Sequence, residues 1–286
     1  MSDQFVLALD VGGSSIKSAL VANSQDILGG VRVDEIQSGT SAEEILDRFA
    51  EILSSYLAKA REVNRIAFAF PGPFDYEHGI SLMQNQAKYE ALYGIELGTR
   101  LKEILNAPAL EMRFRNDAEA AILGEALYGS GVGYSRLIGL TLGTGLGSAF
   151  IAEGTIVVEG DSLPPHGWLY SLPYGVHRAD DVFSTRGLLA RLRERGIFAV
   201  DVASAVQNSD HESLAKVFAS FGADLGAFLK PYVLAFRTDA VLVTGGIAEA
   251  WEHFAPALIR SLPVVPVRQG TLGSRAALLG AAALYP

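Results

Sequence analysis

The chain has 286 residues, 49% of them hydrophobic and 19% charged, with a formal net charge of −9. That length and mix exclude disorder and give one large or two ordinary packed domains. The acidic balance lacks the broad basic footprint of a nucleic-acid binder, and the absence of cysteine excludes disulfides and thiolate zinc sites and points to a reducing cytosol.

Met1-Ser2-Asp3-Gln4 carries no basic region ahead of the first apolar run, residues 5–9, which is too short for a signal peptide or a membrane span. No later stretch is expected to reach spanning length free of charge or turn residues. Residues 5–9 and 16–21 are predicted to form a hairpin, with a third strand over 31–36. Ser41-Ala42-Glu43-Glu44 is a capping-box signature. It opens a predicted helix with Ile45, Phe49, Ile52, Leu53, Tyr56 and Leu57 at helical spacing. Residues 65–70 read as a buried strand stopped by Pro71-Gly72-Pro73. Strand, strand, strand, helix, strand is a mixed α/β pattern.

Residues 74–98 read as loop and 99–105 as a short helix. A strand over 109–114 leads into Asn116-Asp117 and a helix over 118–127. Residues 135–142 begin a second strand-turn-strand, offset from the first by about 131 residues (Asp10 against Thr141), a weak two-copy duplication. Residues 161–181 form an irregular segment rich in aromatics, with His166, Trp168, Tyr170, Tyr174 and His177. Helices are expected over 183–195, 214–228 and 248–260, a strand over 240–243, and an Ala-rich helix over 274–284.

Two glycine turns carry the chemistry. In Asp10-Val11-Gly12-Gly13-Ser14-Ser15-Ile16-Lys17 a carboxylate ends a strand beside a turn. Such a carboxylate can hold Mg²⁺ or its water, while glycine lets backbone N–H groups approach a phosphate. Gly143-Thr144-Gly145-Leu146-Gly147 is the second turn. It lacks the following helix and third glycine of a dinucleotide fingerprint, and no P-loop pattern occurs anywhere. Read singly, each turn is also an ordinary hairpin, Asn116-Asp117 is also a helix N-cap, and Thr244-Gly245-Gly246 is also a plain strand-to-helix turn. An Asp fixed at a helix start suits a base that accepts a hydroxyl proton. The two histidines, 166 and 177, are too far apart to suggest a metal pair, and the aromatics near Trp168 either stack on a sugar or pack the loop.

As an ordered set, Asp10-x-Gly12-Gly13-Ser14, Pro71-Gly72-Pro73, Asn116-Asp117, Gly143-Thr144-Gly145 and Thr244-Gly245-Gly246 resemble the ROK family (repressor, open reading frame, kinase) over nearly the whole chain. The resemblance implies the actin-like, ribonuclease-H-like α/β fold, with two domains and ATP and sugar in the cleft between them. These are expected over 1–117, with 274–286 packing back, and over 118–273. It implies Asp117 as catalytic base. Asn116, Asn85 and the Gly72 loop are implied on the sugar side, with Tyr89 matching an aromatic that follows the family's sugar-contacting Asn. Asp10, Gly12, Gly13, Ser14 and Lys17 match the first phosphate motif; Gly143, Thr144 and Gly145 match the second; Gly245 and Gly246 match the adenosine-side turn.

The chain departs from the family at Pro165-His166-Gly167-Trp168, where relatives carry Glu-x-Gly-His followed by a cysteine-rich zinc motif. Structural zinc is therefore not expected. His166 and Asp180 (or its neighbour Asp181) become candidates for the missing sugar contacts. The implied activity is an ATP- and Mg²⁺-dependent kinase of a hexose or related sugar, cytoplasmic, homodimeric by analogy, with no membrane or nucleic-acid partner. A polyphosphate-dependent glucokinase and a non-catalytic sugar sensor are the alternatives. With the hairpin beginning near residue 5, the DNA-binding region that precedes it in family repressors is not expected.

Overall fold

Phe5–Val11 (β1) and Ser15–Ala22 (β2) pair antiparallel as the predicted hairpin, with Asp10 opposite Lys17 and Val11 opposite Ile16. They are seen in a computed structural model that describes residues 5–23, 25–60, 62–85, 88–208 and 211–285. The tetrapeptide Met1–Gln4 lies outside those residues. Asp26–Glu35 (β3) pairs with β2 and starts earlier than its apolar residues suggest, because ladder pairing rather than burial defines this largely exposed edge strand. Ser41 Oγ accepts from Glu44 N at 3.2 Å and starts Ala42–Leu57 (α1), which buries Ile45, Phe49, Ile52 and Leu53. Arg65–Phe70 (β4) is the predicted buried strand.

The segment expected to be loop holds a two-residue ribbon, Phe74–Asp75 (β5) with Ile80–Ser81 (β6), and a short 3-10 turn at Glu90–Leu92. Leu97–Ile104 (α2), Glu111–Asn116 (β7) and Asp117–Tyr128 (α3) follow. The first sheet runs β3-β2-β1-β4-β7, with β1, β4 and β7 parallel. Leu7 and Leu9 of β1, Phe68 and Phe70 of β4 and Phe49 of α1 share one core.

Arg136–Leu142 (β8), Leu146–Ala152 (β9) and Thr155–Val157 (β10) repeat the hairpin-plus-strand arrangement. Val11 and Leu142 end the first strands, and Ser15 and Leu146 begin the second, at the same offset of 131 residues. Pro173–Tyr174 (β11) and His177–Arg178 (β12) form a small ribbon inside the segment read as irregular. The single helix expected over 183–195 is two: Ala179–Phe183 (α4) and Thr185–Glu194 (α5), separated by Ser184, whose φ −100° and ψ 172° are extended. Val202–Asn208 (α6) was not expected. His211–Phe236 (α7) outruns its predicted end through Pro231, which the helix accommodates.

Ala240–Thr244 (β13) leads through a 3-10 turn at Gly246–Ala250 to Trp251–Ser261 (α8). The three-residue strand Val267–Gln269 (β14), too short for a periodic signal, completes a second sheet, β10-β9-β8-β13-β14, with β8, β13 and β14 parallel. Ala276–Ala282 (α9) is shorter than the Ala-rich run that predicted it, because a 3-10 turn occupies Gly273–Arg275.

By contacts the chain forms two compact units, one comprising the chain up to Gly124 together with Ser274 onward, the other Glu125–Gly273. In the first, α9 crosses α3 at glycines: a Cβ on Gly280 would overlap the carbonyl of Ala120, and one on Gly124 would overlap that of Ala276. In the second, α7 is the one described helix long and apolar enough to cross a membrane by length and composition. Its Phe218, Phe221, Leu225, Leu229 and Val233 are buried in that unit's core with Phe254 and Leu258 of α8.

Candidate active site

The first glycine turn is tied to the protein by its carbonyls. Gly12 O accepts from the Tyr89 hydroxyl at 2.6 Å, Gly13 O from Ser38 Oγ, and Ser14 O from Ile36 N at 3.1 Å. Gly12 N donates to Ser15 O at 2.9 Å and closes the turn. Among the described residues no group accepts from the N–H of Gly13 or Ser14, and both residues are exposed. Carbonyls turned inward with N–H groups turned outward make an anion-binding concavity. Neither glycine has a positive φ, so the turn does not need glycine for a left-handed backbone. Gly12 is required by close approach, since a Cβ would lie 2.9 Å from Ser15 O.

Asp10, at the end of β1, lies 3.3 Å from Lys17 Nζ across the hairpin. Burial holds its carboxyl above the ordinary range, and Lys17 opposes that. On β7 and α3, Asn116 and Asp117 divide the labour that the sequence left ambiguous. Asn116 Oδ1 caps the helix, accepting from Ala118 N at 3.1 Å and Glu119 N at 3.2 Å, and its Nδ2 donates to the Tyr76 hydroxyl at 3.0 Å. Asp117 Oδ1 accepts from the adjacent Ala118 N, at 2.9 Å. Its carboxyl is also raised, first by burial and further by the charge of Asp10; the Ala118 N–H and Lys88 pull it down. Gly72 belongs to this group: a Cβ there would lie 3.1 Å from the Tyr76 hydroxyl and 3.8 Å from Asn116 Nδ2.

Tyr76 and Lys88 escaped the sequence reading, and Tyr89, matched there to an aromatic of the family's sugar-side loop, has a different task. Tyr89 is fully buried and braces Gly12, and burial keeps its phenol protonated as a donor. Tyr76 links Asn116 to the Phe70 carbonyl. The Lys88 stem passes Gly13, its Cδ 3.7 Å from where a Cβ would sit. Only a loop with several aromatics signalled them. Asn85 is exposed with φ 56°, and no described contact joins it to Asn116 or Asp117.

The second turn repeats the device. Gly143 O accepts from Thr185 N at 2.7 Å, Gly145 O from Gly143 N at 3.1 Å, and Leu146 N donates to Asp180 Oδ1 at 2.7 Å. Among the described residues the N–H groups of Thr144 and Gly145 have no acceptor, and both residues are exposed. Asp180 therefore braces this turn, with Oδ2 held by Arg186, while Asp181 caps α4 through Arg178 N. Gly245 has φ 95°, and a Cβ would press on the carbonyl of Leu142 at 2.5 Å, so the third turn packs directly beside the second. Gly246 has open space around its Cα. His166 is exposed with φ 57° and packs on Trp168. Among the described residues no three His, Asp or Glu side chains cluster so as to hold a metal.

A family model described as ROK family matches residues 6–166. A glucokinase of Thermotoga maritima is 26% identical over 158 residues, 55% of this chain and 48% of that protein. This chain thus spans about half the length of that relative. A glucokinase of Halalkalibacterium halodurans is 25% identical over 98% of this chain and 94% of its own length. Among solved structures, a ROK family glucokinase from Streptomyces griseus, in complex with glucose and AMPPNP, superposes with a TM-score of 0.76 at 20% identity, covering 98% of this chain and 99% of that one. The fold is the actin-like ATPase fold of these kinases.

Proposed function

The chain belongs to the ROK family, and from that premise we propose that it transfers the γ-phosphoryl group of ATP to a hydroxyl of a hexose or related sugar, with Asp117 as general base. The observation that carries this reading lies within the first unit. An anion-ready turn with free N–H groups stands with two carboxyls of raised pKa, and Asp117 is the less encumbered of the two. Asp117 accepts the hydroxyl proton as the sugar oxygen attacks phosphorus. Within the first unit the Gly13 and Ser14 N–H groups hold phosphate oxygens; within the second, by itself, Thr144 and Gly145 offer the same kind of anion-binding turn and Gly246 leaves backbone open. Phosphoryl transfer is driven mainly by such positioning and charge stabilisation.

Asp10 is the residue that would hold Mg²⁺. A single carboxylate ligand, 19% exposed and paired with Lys17 at 3.3 Å, suits an ion that takes most of its oxygens from phosphates and water. When bound, the ion offsets negative charge on the phosphates.

The test is sugar-phosphate formation over a panel of hexoses, amino sugars and glucosides, with ATP or polyphosphate as sole donor, the ATP arm also read as coupled ADP release. Sugar-dependent ADP release supports the reading. Turnover with polyphosphate alone replaces the donor, and sugar binding without turnover makes the chain a sensor. In an active enzyme, Tyr89→Phe removes the hydroxyl that braces Gly12. It is expected to cost about 1 kcal/mol of stability and to raise KM for the nucleotide several-fold more than it lowers kcat, a split that steady-state kinetics reads directly.

A further inference from the structure

Lys88 touches the first glycine turn with its stem and reaches Asp117 with its charge, all within the first unit. Its Cδ lies 3.7 Å from the position that a Cβ on Gly13 would take. Burial raises the Asp117 carboxyl, and the Lys88 charge opposes that rise. The side chain is half-buried, and among the described residues its ammonium forms no hydrogen bond or ion pair. Lys17, by contrast, is paired with Asp10 at 3.3 Å.

The backbone next to Lys88 is pinned to the same turn. Tyr89 N donates to Ser38 O at 2.7 Å, Ser38 Oγ donates to Gly13 O, and the Tyr89 hydroxyl donates to Gly12 O at 2.6 Å. Tyr89 sits in the left-handed region at φ 55°, a setting that persists in a residue with a side chain only where its surroundings hold it. These bonds set Lys88 beside the turn and leave its ammonium unengaged. On the kinase reading, phosphate oxygens lie at the Gly13 and Ser14 N–H groups and the accepting hydroxyl lies at Asp117. The transferred group passes from one to the other, and Lys88 is adjacent to both.

We infer that Lys88 is a further catalytic residue, its ammonium donating hydrogen bonds to the γ-phosphoryl oxygens of ATP during transfer. This rests on the sugar-kinase reading and adds a cation to it. The sugar oxygen bonds to the γ-phosphorus as the bond from phosphorus to the β–γ bridging oxygen breaks. That oxygen leaves on ADP with the electron pair, and the hydroxyl proton passes to the Asp117 carboxylate. Lys88 keeps all three of its protons and offsets charge on the equatorial oxygens, as a compact point charge can. Two carboxyls, Asp10 and Asp117, would otherwise meet a polyanion, and the Lys17 charge is already engaged by Asp10.

The experiment compares wild type, Lys88→Met and Lys88→Arg in steady-state kinetics and in calorimetric titrations with ATP and with ADP. Lys88→Met is expected to lower kcat roughly 10²-fold, the scale of one lost charge-stabilising donor, with KM for the sugar nearly unchanged. It is expected to weaken ATP roughly tenfold more than ADP, because only ATP carries the γ-phosphoryl group. Lys88→Arg keeps the charge and is expected to recover part of both losses. An unchanged kcat overturns the inference, and so does an equal loss for ATP and ADP, which marks a general weakening of the nucleotide site. The titrations separate this from the parent reading. If the wild type phosphorylates no sugar, the kinase reading falls, yet a selective loss of ATP in Lys88→Met still supports the γ-phosphoryl contact, whereas an equal loss or none overturns it. If Asp117→Asn abolishes turnover and Lys88→Met does not lower it, the base stands and the lysine is excluded.

Discussion

Asp117→Asn is expected to lower turnover by roughly 10²–10⁴-fold, the usual contribution of a positioned general base, with no loss of thermal stability. An asparagine keeps the carbonyl oxygen that accepts from Ala118 N at 2.9 Å. It also removes a charge that burial penalises, so the fold has no reason to loosen. Near-normal ADP release by this variant would remove Asp117 as the base. The pH dependence follows from the same surroundings. Burial raises the Asp117 carboxyl, Asp10 raises it further, and Ala118 N–H and Lys88 lower it. Protonation removes the base, so activity is lost on the acid side, at a pH above the ordinary carboxylate range. Lys88→Met deletes a lowering influence and is expected to move that limb of the kcat profile to higher pH. A limb that stays in place, or moves down, shows that Lys88 does not act on Asp117.

The stability sign is the reverse of the usual carboxylate case. A folded-state pKa above the unfolded one means that the folded chain holds the proton more tightly. The resulting stabilisation is complete below the unfolded pKa and is lost as pH rises through the folded pKa. Asp117→Asn removes this dependence, so melting curves of the variant and the wild type should diverge with rising pH, the variant becoming relatively more stable.

The glycine turns were legible because their constraint is local. Gly12 and Gly245 are fixed by backbone approach within the turn or an adjacent strand, and a sequence shows where side chains have been removed. The hairpins were legible for the same reason, since apolar alternation and a tight turn occur together. What braces the turns was not. Tyr89 reaches Gly12 across 77 positions, and Asp180 reaches Leu146 across 34. No periodicity reports such pairs; the family resemblance suggested a sugar contact for Asp180 and matched Tyr89 only to an aromatic of the sugar-side loop. Asn116-Asp117 was read as a cap and as a catalytic pair, and geometry assigns the cap to Asn116. Short elements such as β14 and α6 were missed because they lack a full period of their own and exist through tertiary pairing.

Glu125→Leu is expected to destabilise the chain by about 3 kcal/mol or more, the largest stability effect among these substitutions. Glu125 is fully buried near the end of α3. Its Oε1 accepts from Leu272 N at 2.7 Å, and its Oε2 from Ser130 N at 3.1 Å and Ser130 Oγ at 3.3 Å. Gly129 and Gly270 make room for these bonds: a Cβ on Gly129 would strike Oε2, and one on Gly270 would lie 2.8 Å from Oε1. Leucine occupies a similar volume and leaves the backbone N–H groups of the half-buried Ser130 and Leu272 without that acceptor, each worth roughly 1–3 kcal/mol where water does not replace it. Glu125→Gln keeps one carbonyl oxygen and turns an amide toward the other donors, so an intermediate loss is expected. Differential scanning calorimetry reads both; at roughly 2–4 °C per kcal/mol, Glu125→Leu should melt on the order of 10 °C lower. The effect should also reach the nucleotide side of the site. The Gly270 Cβ position is 2.9 Å from Thr244, the residue before Gly245, and Gly270 N donates to Val243 O at 2.9 Å. Loosening residues 270–272 therefore frees the third turn, and KM for the nucleotide should rise below the melting range. A Glu125→Leu protein that melts like the wild type would show that other groups satisfy Ser130 and Leu272.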